Sequence, residues 1–348
     1  MPTQSLRSLY KKENLKSGDT VIFAGGGTVG VDWAYMYSNL LGQTGNAFLY
    51  YCSRVFGPEM VDKVSRFRFG GRSVFPWLAS PEEFPVAIKI AYNAIGGSEF
   101  ENLSSPVQQQ KLQILRQATY LSVRDARTRD LFSPVQDQVS VELAPDSAVL
   151  MSEQYPISSL RTLATPGMHQ QIDGKNYICF QCNLDYKRAH ENEIIRSLEE
   201  IYEAYGLQAI LLPIGRYTGL DDHIAMRELR QKIRTPCETI SDRASIFEIM
   251  LAVASAKVFV GTSLHGNVTA QSFAVPHLGL SDRPCKVDYY LNTWDLPEQS
   301  QCAPIENLAK MVGSVLAISD DKRQEKRAEL ISLSHANFIK MFEKCSIA

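Results

Sequence analysis

The sequence lacks any run of the roughly 20 apolar residues that a membrane-crossing helix requires. Its opening residues, Met1 to Lys16, are polar and basic and have no apolar centre of the kind a secretion signal carries. A cytoplasmic protein without stable membrane insertion is therefore expected. An excess of charge of one sign is missing too: 36 Lys and Arg face 38 Asp and Glu, a formal net charge of -2. Nucleic-acid binding needs a clustered basic surface, so no nucleic acid is expected as a partner, although a local basic pocket for a small anion stays compatible. Cysteine is sparse and unpatterned. The seven residues Cys52, Cys179, Cys182, Cys237, Cys285, Cys302 and Cys345 are odd in number and scattered, which points to reduced thiols and not to a disulfide framework. Cys179 and Cys182 are spaced as CxxC, but they sit in an apolar run and no second ligand pair accompanies them. No metal site is expected.

What the chain does have is length and alternation. Its 348 residues exceed one ordinary core and suit two domains, and 45% hydrophobic with 21% charged residues is a globular composition. No internal repeat or low-complexity stretch interrupts it. Short β-rich runs alternate with amphipathic stretches, which predicts α/β architecture with parallel sheets. In residues 1–150 the predicted strands are Thr20–Ala24, Ala47–Cys52, Ile88–Asn93 and Thr119–Val123, with helices over Gln109–Arg116 and Ala126–Leu131. Residues 151–175, rich in Ser, Pro, Gly and polar side chains, read as a linker. Residues 176–318 carry predicted strands Tyr177–Cys182, Ala209–Pro213, Val258–Gly261 and His277–Leu280. Helical spacing fills the gaps over Glu191–Tyr205, Ile224–Ile233 and Ser245–Ala256, the last with Ser245 and Glu248 placed as a capping box. Residues 319–348 form a tail in which Asp320–Glu343 reads as one long charged helix. The expected fold is two Rossmann-like domains facing a cleft, followed by that helix, with the ligand in the cleft.

Three strand ends carry chemistry. Val258–Gly261 runs into Thr262-Ser263-Leu264-His265-Gly266, where a helix begins. Ligands in open α/β sheets bind beyond the carboxyl ends of strands, and a helix start there offers N–H donors to phosphate or carboxylate. His265 at that place can bind an anion or move a proton near neutral pH, or can simply cap the helix. Gly25-Gly26-Gly27-Thr28-Val29-Gly30 follows the first strand. It fits GxGxxG, but the second predicted strand ends at Tyr51-Cys52-Ser53-Arg54 with no acid for a ribose, so only an Arg-assisted NADP site stays open. These glycines otherwise permit close ligand approach or a tight turn. Leu121-Ser122-Val123 closes on Arg124-Asp125, an oxyanion-binding pair or a helix-start ion pair. In the second half, Arg216, Arg243, Arg283 and Lys286 lie near strand ends, candidates for neutralising a small, highly charged ligand.

Taken in order, these pieces resemble the polysaccharide pyruvyltransferase family. The resemblance runs from Gly18-Asp19-Thr20-Val21-Ile22 and Gly25-Gly26-Gly27, through Ser122-Val123-Arg124-Asp125 and Asp146, to Ser263-Leu264-His265-Gly266. It continues through Val275-Pro276-His277 and Lys286 to Tyr289 and Trp294, a spacing shared with members acting in exopolysaccharide synthesis. It implies a GT-B-like pair of domains, the first on the acceptor side and the second on the donor side. No cofactor is implied: phosphoenolpyruvate is the donor substrate, and a sugar, lipid-linked, nucleotide-linked or polymeric, is the acceptor. A lipid-linked acceptor would bring the enzyme to the membrane surface. The catalytic set it implies is His265, Arg124 and Asp125. The implied donor set is Ser263, Gly266, Arg216, Arg243, Arg283 and Lys286, with Gly25, Gly26, Gly27 and Asp146 facing the acceptor. Many members carry Arg where this chain has Ser263, a role that Arg243, Arg216 or Arg283 would take over. The glycine run also comes by residue 25, whereas relatives place a β–α unit before it. Two other functions compete: a nucleotide-sugar glycosyltransferase, in which Glu248 would hold a ribose, and a binding protein whose catalytic site has decayed.

Overall fold

The computed structural model describes residues 6–41, 43–216 and 219–347. They form two compact α/β units: one runs to Ser147 and takes in the residues from His335 on, the other spans Ala148–Ser334. No described helix is long and apolar enough to cross a membrane.

The first unit is built on four parallel strands in chain order: β1 (Thr20–Ala24), β2 (Lys89–Ile95), β3 (Tyr120–Val123) and β4 (Val141–Leu143). β2 and β3 are almost wholly buried, as parallel strands covered on both faces are. Between β1 and β2 lie α1 (Trp33–Ser38), α2 (Gln43–Phe56) and α3 (Pro58–Phe69). α4 (Ser105–Leu115) precedes β3, and α5 (Ala126–Leu131) follows it. Residues 47–52, expected as a strand, therefore lie inside α2. That segment contains no β-branched residue, and a short aromatic run fits either element until its neighbours decide. The strand that follows β1 begins only at Lys89, so the second-strand position of a dinucleotide fingerprint is not filled as the sequence suggested.

The second unit holds five parallel strands: β5 (Tyr177–Gln181), β6 (Gln208–Leu211), β7 (Cys237–Thr239), β8 (Val258–Gly261) and β9 (His277–Gly279). Their spatial order is β7-β6-β5-β8-β9. This is the doubly wound Rossmann-like order, in which the winding direction reverses between the first and fourth strands. The helices are α6 (Leu184–Tyr205), α7 (Asp222–Lys232), α8 (Ile246–Ala254), α9 (Leu264–Ser272), α10 (Lys286–Trp294) and α11 (Leu308–Leu316). α8 starts on the capping box that Ser245 and Glu248 were expected to form.

Residues 151–175 are not a bare linker. They make three short helices, Met151–Gln154, Ile157–Leu163 and Pro166–Ile172, and bury Leu160, Met168 and Ile172 in the second core. Pro166 begins a helix, as proline at the first helical position does, and the Thr165 hydroxyl caps it. The final helix, α12 (Asp320–Cys345), is the long charged element the sequence indicated. Its last turns belong to the first unit, where Asn337 accepts from the Tyr120 hydroxyl at 2.6 Å and Met341 and Cys345 cover Ala91 and Tyr120.

Candidate functional site

The reversal in the second sheet fixes where a ligand crevice can form, because the helices that follow β5 and β8 leave on opposite faces. Register pairs the last residues of those strands, Gln181 and Gly261. Asn183 starts α6 by accepting the Tyr186 N–H at 2.8 Å, and Ser263 starts α9 by accepting the Gly266 N–H at 3.2 Å. Two helix N-termini thus begin at neighbouring strand ends, each with backbone donors in its first turn.

A buried amide holds this arrangement. Gln181 Oε1 accepts from the Ser263 N–H at 2.9 Å, while its Nε2 donates to Asp222 Oδ2 at 2.7 Å. The same carboxylate oxygen accepts from the Ile214 and Gly215 N–H groups at 3.1 and 2.7 Å. Thr262 Oγ1 donates to Gln181 and accepts from the Asn183 N–H. The loops after β5, β6 and β8 therefore share one hydrogen-bond network. Burial pushes the Asp222 carboxyl above its usual range, opposed by the Gly215 N–H and the Gln181 amide. Gly266 is required by packing: a side-chain carbon there would lie 2.4 Å from Phe259 Cζ. His265, in the first turn of α9, is exposed.

The candidate cations all follow the carboxyl ends of strands in this sheet, Lys286 as the first residue of α10. Arg283 and Lys286 follow β9, beside the β8 loop, and both are exposed. Arg216 follows β6 and Arg243 follows β7, on the other side of the reversal; Arg216 donates to the Asp242 carbonyl. The structure thus gathers Ser263, His265 and Gly266 at one helix start and places the four cations along the same sheet edge. Glu248, considered above for a ribose, is committed to the fold: Oε1 takes the Thr165 N–H and hydroxyl, and Oε2 takes the Ser245 N–H. His277 is also internal, its ring bridging the Val275 carbonyl at 2.8 Å and Asp295 at 2.6 Å.

In the first unit, Arg124 pairs with Asp146 at 3.2 Å, and not with its neighbour Asp125. Asp125 instead caps α5 by accepting the Thr128 N–H at 2.7 Å. All three are buried, at 1, 4 and 2% exposure for Arg124, Asp146 and Asp125. The guanidinium lies under the strand-end glycines. A side chain on Gly96 would come within 2.6 Å of Arg124 Nε, and one on Gly27 would lie 4.0 Å from Nη2. Gly25 and Gly26 adopt φ of 64° and 75°, the left-handed region that glycine enters at little cost.

Sequence reasoning passed over Gln181, Asp222 and Lys111. Lys111 is 1% exposed on α4 and anchors the far side of the glycine run. Its Nζ donates to the Val29 carbonyl at 2.6 Å and the Val31 carbonyl at 3.3 Å, and lies 4.0 Å from the Phe75 ring centroid. Burial lowers its pKa to about 8, against the raising influence of Asp32 and Asp62. Only a lysine on the inward side of an amphipathic helix signals such a role in the sequence. Among the described residues, no three His, Cys, Asp or Glu side chains gather as a metal site would require.

No curated protein matches the chain. Among solved structures, the N-terminal domain of Candida albicans trehalose-6-phosphate phosphatase is 15% identical with a TM-score of 0.45, covering 76% of this chain and 67% of its own. Methanocaldococcus jannaschii UDP-GlcNAc 2-epimerase, bound to UDP-GlcNAc and UDP, is 15% identical with a TM-score of 0.47, covering 67% of this chain and 63% of its own. A UDP-forming α,α-trehalose-phosphate synthase from Burkholderia xenovorans, with glucose-6-phosphate, is 12% identical with a TM-score of 0.46, covering 76% and 70%. The family model for polysaccharide pyruvyl transferase matches residues 85–283, from just before β2 to the loop after β9. With more than half of its length inside that pattern, the chain belongs to the polysaccharide pyruvyl transferase family and is a transferase.

Proposed function

We propose that the protein moves the enolpyruvyl carbon skeleton of phosphoenolpyruvate onto sugar hydroxyls, leaving a pyruvate ketal. The observation that carries this reading is the edge of the second sheet, where an exposed His265 occupies the first turn of a helix flanked by cationic loops. A donor with a phosphate and a carboxylate on three carbons needs dense positive potential, which a helix start and arginine side chains supply. Arg283 and Lys286 are the cations that follow β9, next to the β8–α9 turn, and they take the place of the arginine that many relatives carry at position 263. Arg216 and Arg243 serve the far end of the same edge. In the first unit, the Gly25-Gly26-Gly27 turn, backed by Arg124 and Asp146, is the acceptor candidate, and Asp125 acts by setting the start of α5.

His265 delivers a proton to the methylene carbon, turning it into a methyl group, as a sugar hydroxyl attacks the adjacent carbon. The attacking hydroxyl gives up its proton, and the addition leaves a tetrahedral carbon that carries the methyl group, the carboxylate, the sugar oxygen and the phosphate. A second hydroxyl of the same sugar then attacks that carbon; its C–O bond replaces the bond to phosphate, which leaves as the free anion and takes up the hydroxyl proton. General acid–base help of this kind contributes about 10²–10⁴-fold. Calorimetric titration with phosphoenolpyruvate, run in parallel with a UDP-sugar, tests the donor. Saturable binding of phosphoenolpyruvate alone, weakened in His265→Ala, is expected. Binding of the UDP-sugar alone would replace this reading with a glycosyltransferase.

A further inference from the structure

The sheet edge also holds two thiols that the transfer chemistry does not use. Cys285 is the residue before α10, and Cys302 lies beyond that helix, yet one carboxylate gathers both. Asp288 Oδ2 accepts the Cys285 N–H and Oδ1 accepts the Cys302 N–H, each at 3.2 Å. The Cys302 segment is fixed against β9: the Ala303 N–H donates to the Gly279 carbonyl at 2.8 Å, and Leu280 and Ala303 form a parallel bridge. Its sulfur sits over the end of that strand, 2.7 Å from where a Gly279 side chain would start. The two cysteines are thereby held side by side around one carboxylate. We propose that Cys285 and Cys302 are a peroxide-sensitive pair that closes to a reversible disulfide, with Cys285 as the attacking thiolate and Cys302 as the resolving thiol.

The assignment of roles follows from position. Cys285 stands at the N-terminus of a nine-residue helix, where the dipole favours a negative sulfur. Its pKa is lowered to about 6, first by Cys302 and then, against the raising effect of burial, by the Ser281 hydroxyl and the N–H groups of Asp288 and Val287. Cys302, pushed up first by Cys285 and then by burial and the neighbouring Asp288 charge, is held as the neutral thiol. The Cys285 thiolate attacks one oxygen of a hydroperoxide, forming a sulfenic acid and releasing hydroxide or alkoxide. Cys302 sulfur then attacks the sulfenic sulfur; the S–S bond forms, the S–OH bond breaks, and water leaves with the Cys302 proton. Two sulfurs are oxidised and one peroxide is reduced. A thiol reductant reverses the bond.

The test is thiol counting and peptide mapping of the full chain at pH 7 before and after equimolar hydrogen peroxide. The free-thiol count is expected to fall by two from seven, with the Cys285 and Cys302 peptides linked, and to return with dithiothreitol. In Cys302→Ser, dimedone should trap a sulfenic acid at Cys285, whereas Cys285→Ser should leave Cys302 unoxidised. The alkylation rate of Cys285 should inflect near pH 6 and not near the ordinary value of about 8.5. A thiol count that stays unchanged, or linkage of either cysteine to another partner, overturns the assignment.

Discussion

Asp146→Ala breaks the most deeply buried of the ion pairs among the described residues of the first unit. In the native protein, its carboxylate lies 3.2 Å from Arg124, with side-chain exposures of 5% and 2%. At an effective dielectric of 20, that separation corresponds to about 5 kcal/mol of attraction. The net value is smaller, because both charges left water to make it, but removing the carboxylate takes this contact from a guanidinium that stays buried. Breaking a buried pair in this way costs about 3–5 kcal/mol. Against a total stability of about 5–15 kcal/mol, that is a large fraction of what holds a unit folded. Urea unfolding followed by tryptophan fluorescence measures it. Trp33 and Trp77 lie in the first unit and Trp294 in the second, so a Trp294→Phe background confines the signal to the first. The first transition should move by about 3–5 kcal/mol while circular dichroism shows the second unit's transition unmoved. Pairing Asp146→Leu with Arg124→Met should recover much of the loss, since an apolar pair needs no buried charge to be balanced. A single-variant cost below about 1 kcal/mol, the range of exposed ion pairs, would refute the reasoning.

Other consequences are as definite. Lys111 has a folded pKa of about 8 against an ordinary 10.5, so between those values the unfolded chain binds a proton that the folded one does not. Its contribution to stability therefore rises with pH across that window, and the difference between wild type and Lys111→Met should grow by roughly 3 kcal/mol from pH 8 to 10.5 in urea titrations. Gln181→Leu removes the bridge between Asp222 and the Ser263 N–H; it should destabilise the second unit by about 1–3 kcal/mol and weaken phosphoenolpyruvate binding in calorimetry. Loss of stability with unchanged affinity would show that the network does not position the donor site. Gly266→Ala must displace Phe259, at a cost of about 1–3 kcal/mol read in the same unfolding assay. Ser263→Ala forfeits the α9 cap and should cost about 1 kcal/mol.

The parts of the fold written in local pattern were legible from the residues. β8, and β5 up to Phe180, are apolar runs that give way to polar residues, and Ser245 with Glu248 announces the start of α8. Elements decided by tertiary context were not. Residues 47–52 are aromatic enough for a strand and became helix because α2 packs against α1 and α3. Residues 151–175 look like a linker because their prolines and serines begin helices as readily as they make turns. β4 and β7, three residues each, are too short to show a period. At the candidate site, His265 and the cations were visible as strand-end residues. Arg124 was visible too, but its partner, 22 residues away, depends on how β3 and β4 lie side by side. Gln181 and Asp222 carry no sequence signal, because a buried amide and a buried carboxylate acquire their meaning only when three loops meet.

Turnover in deuterium oxide tests the central claim most directly. The enzyme is mixed with phosphoenolpyruvate and a panel of free, nucleotide-linked and lipid-linked sugars, and followed by proton and phosphorus NMR. The account predicts that the vinyl signals disappear with release of one phosphate per donor. A ketal methyl group carrying one deuterium should appear on the sugar, with the rate cut by about 10²–10⁴-fold in His265→Ala. A product that keeps the vinyl protons, or a donor left intact with every sugar, would contradict it.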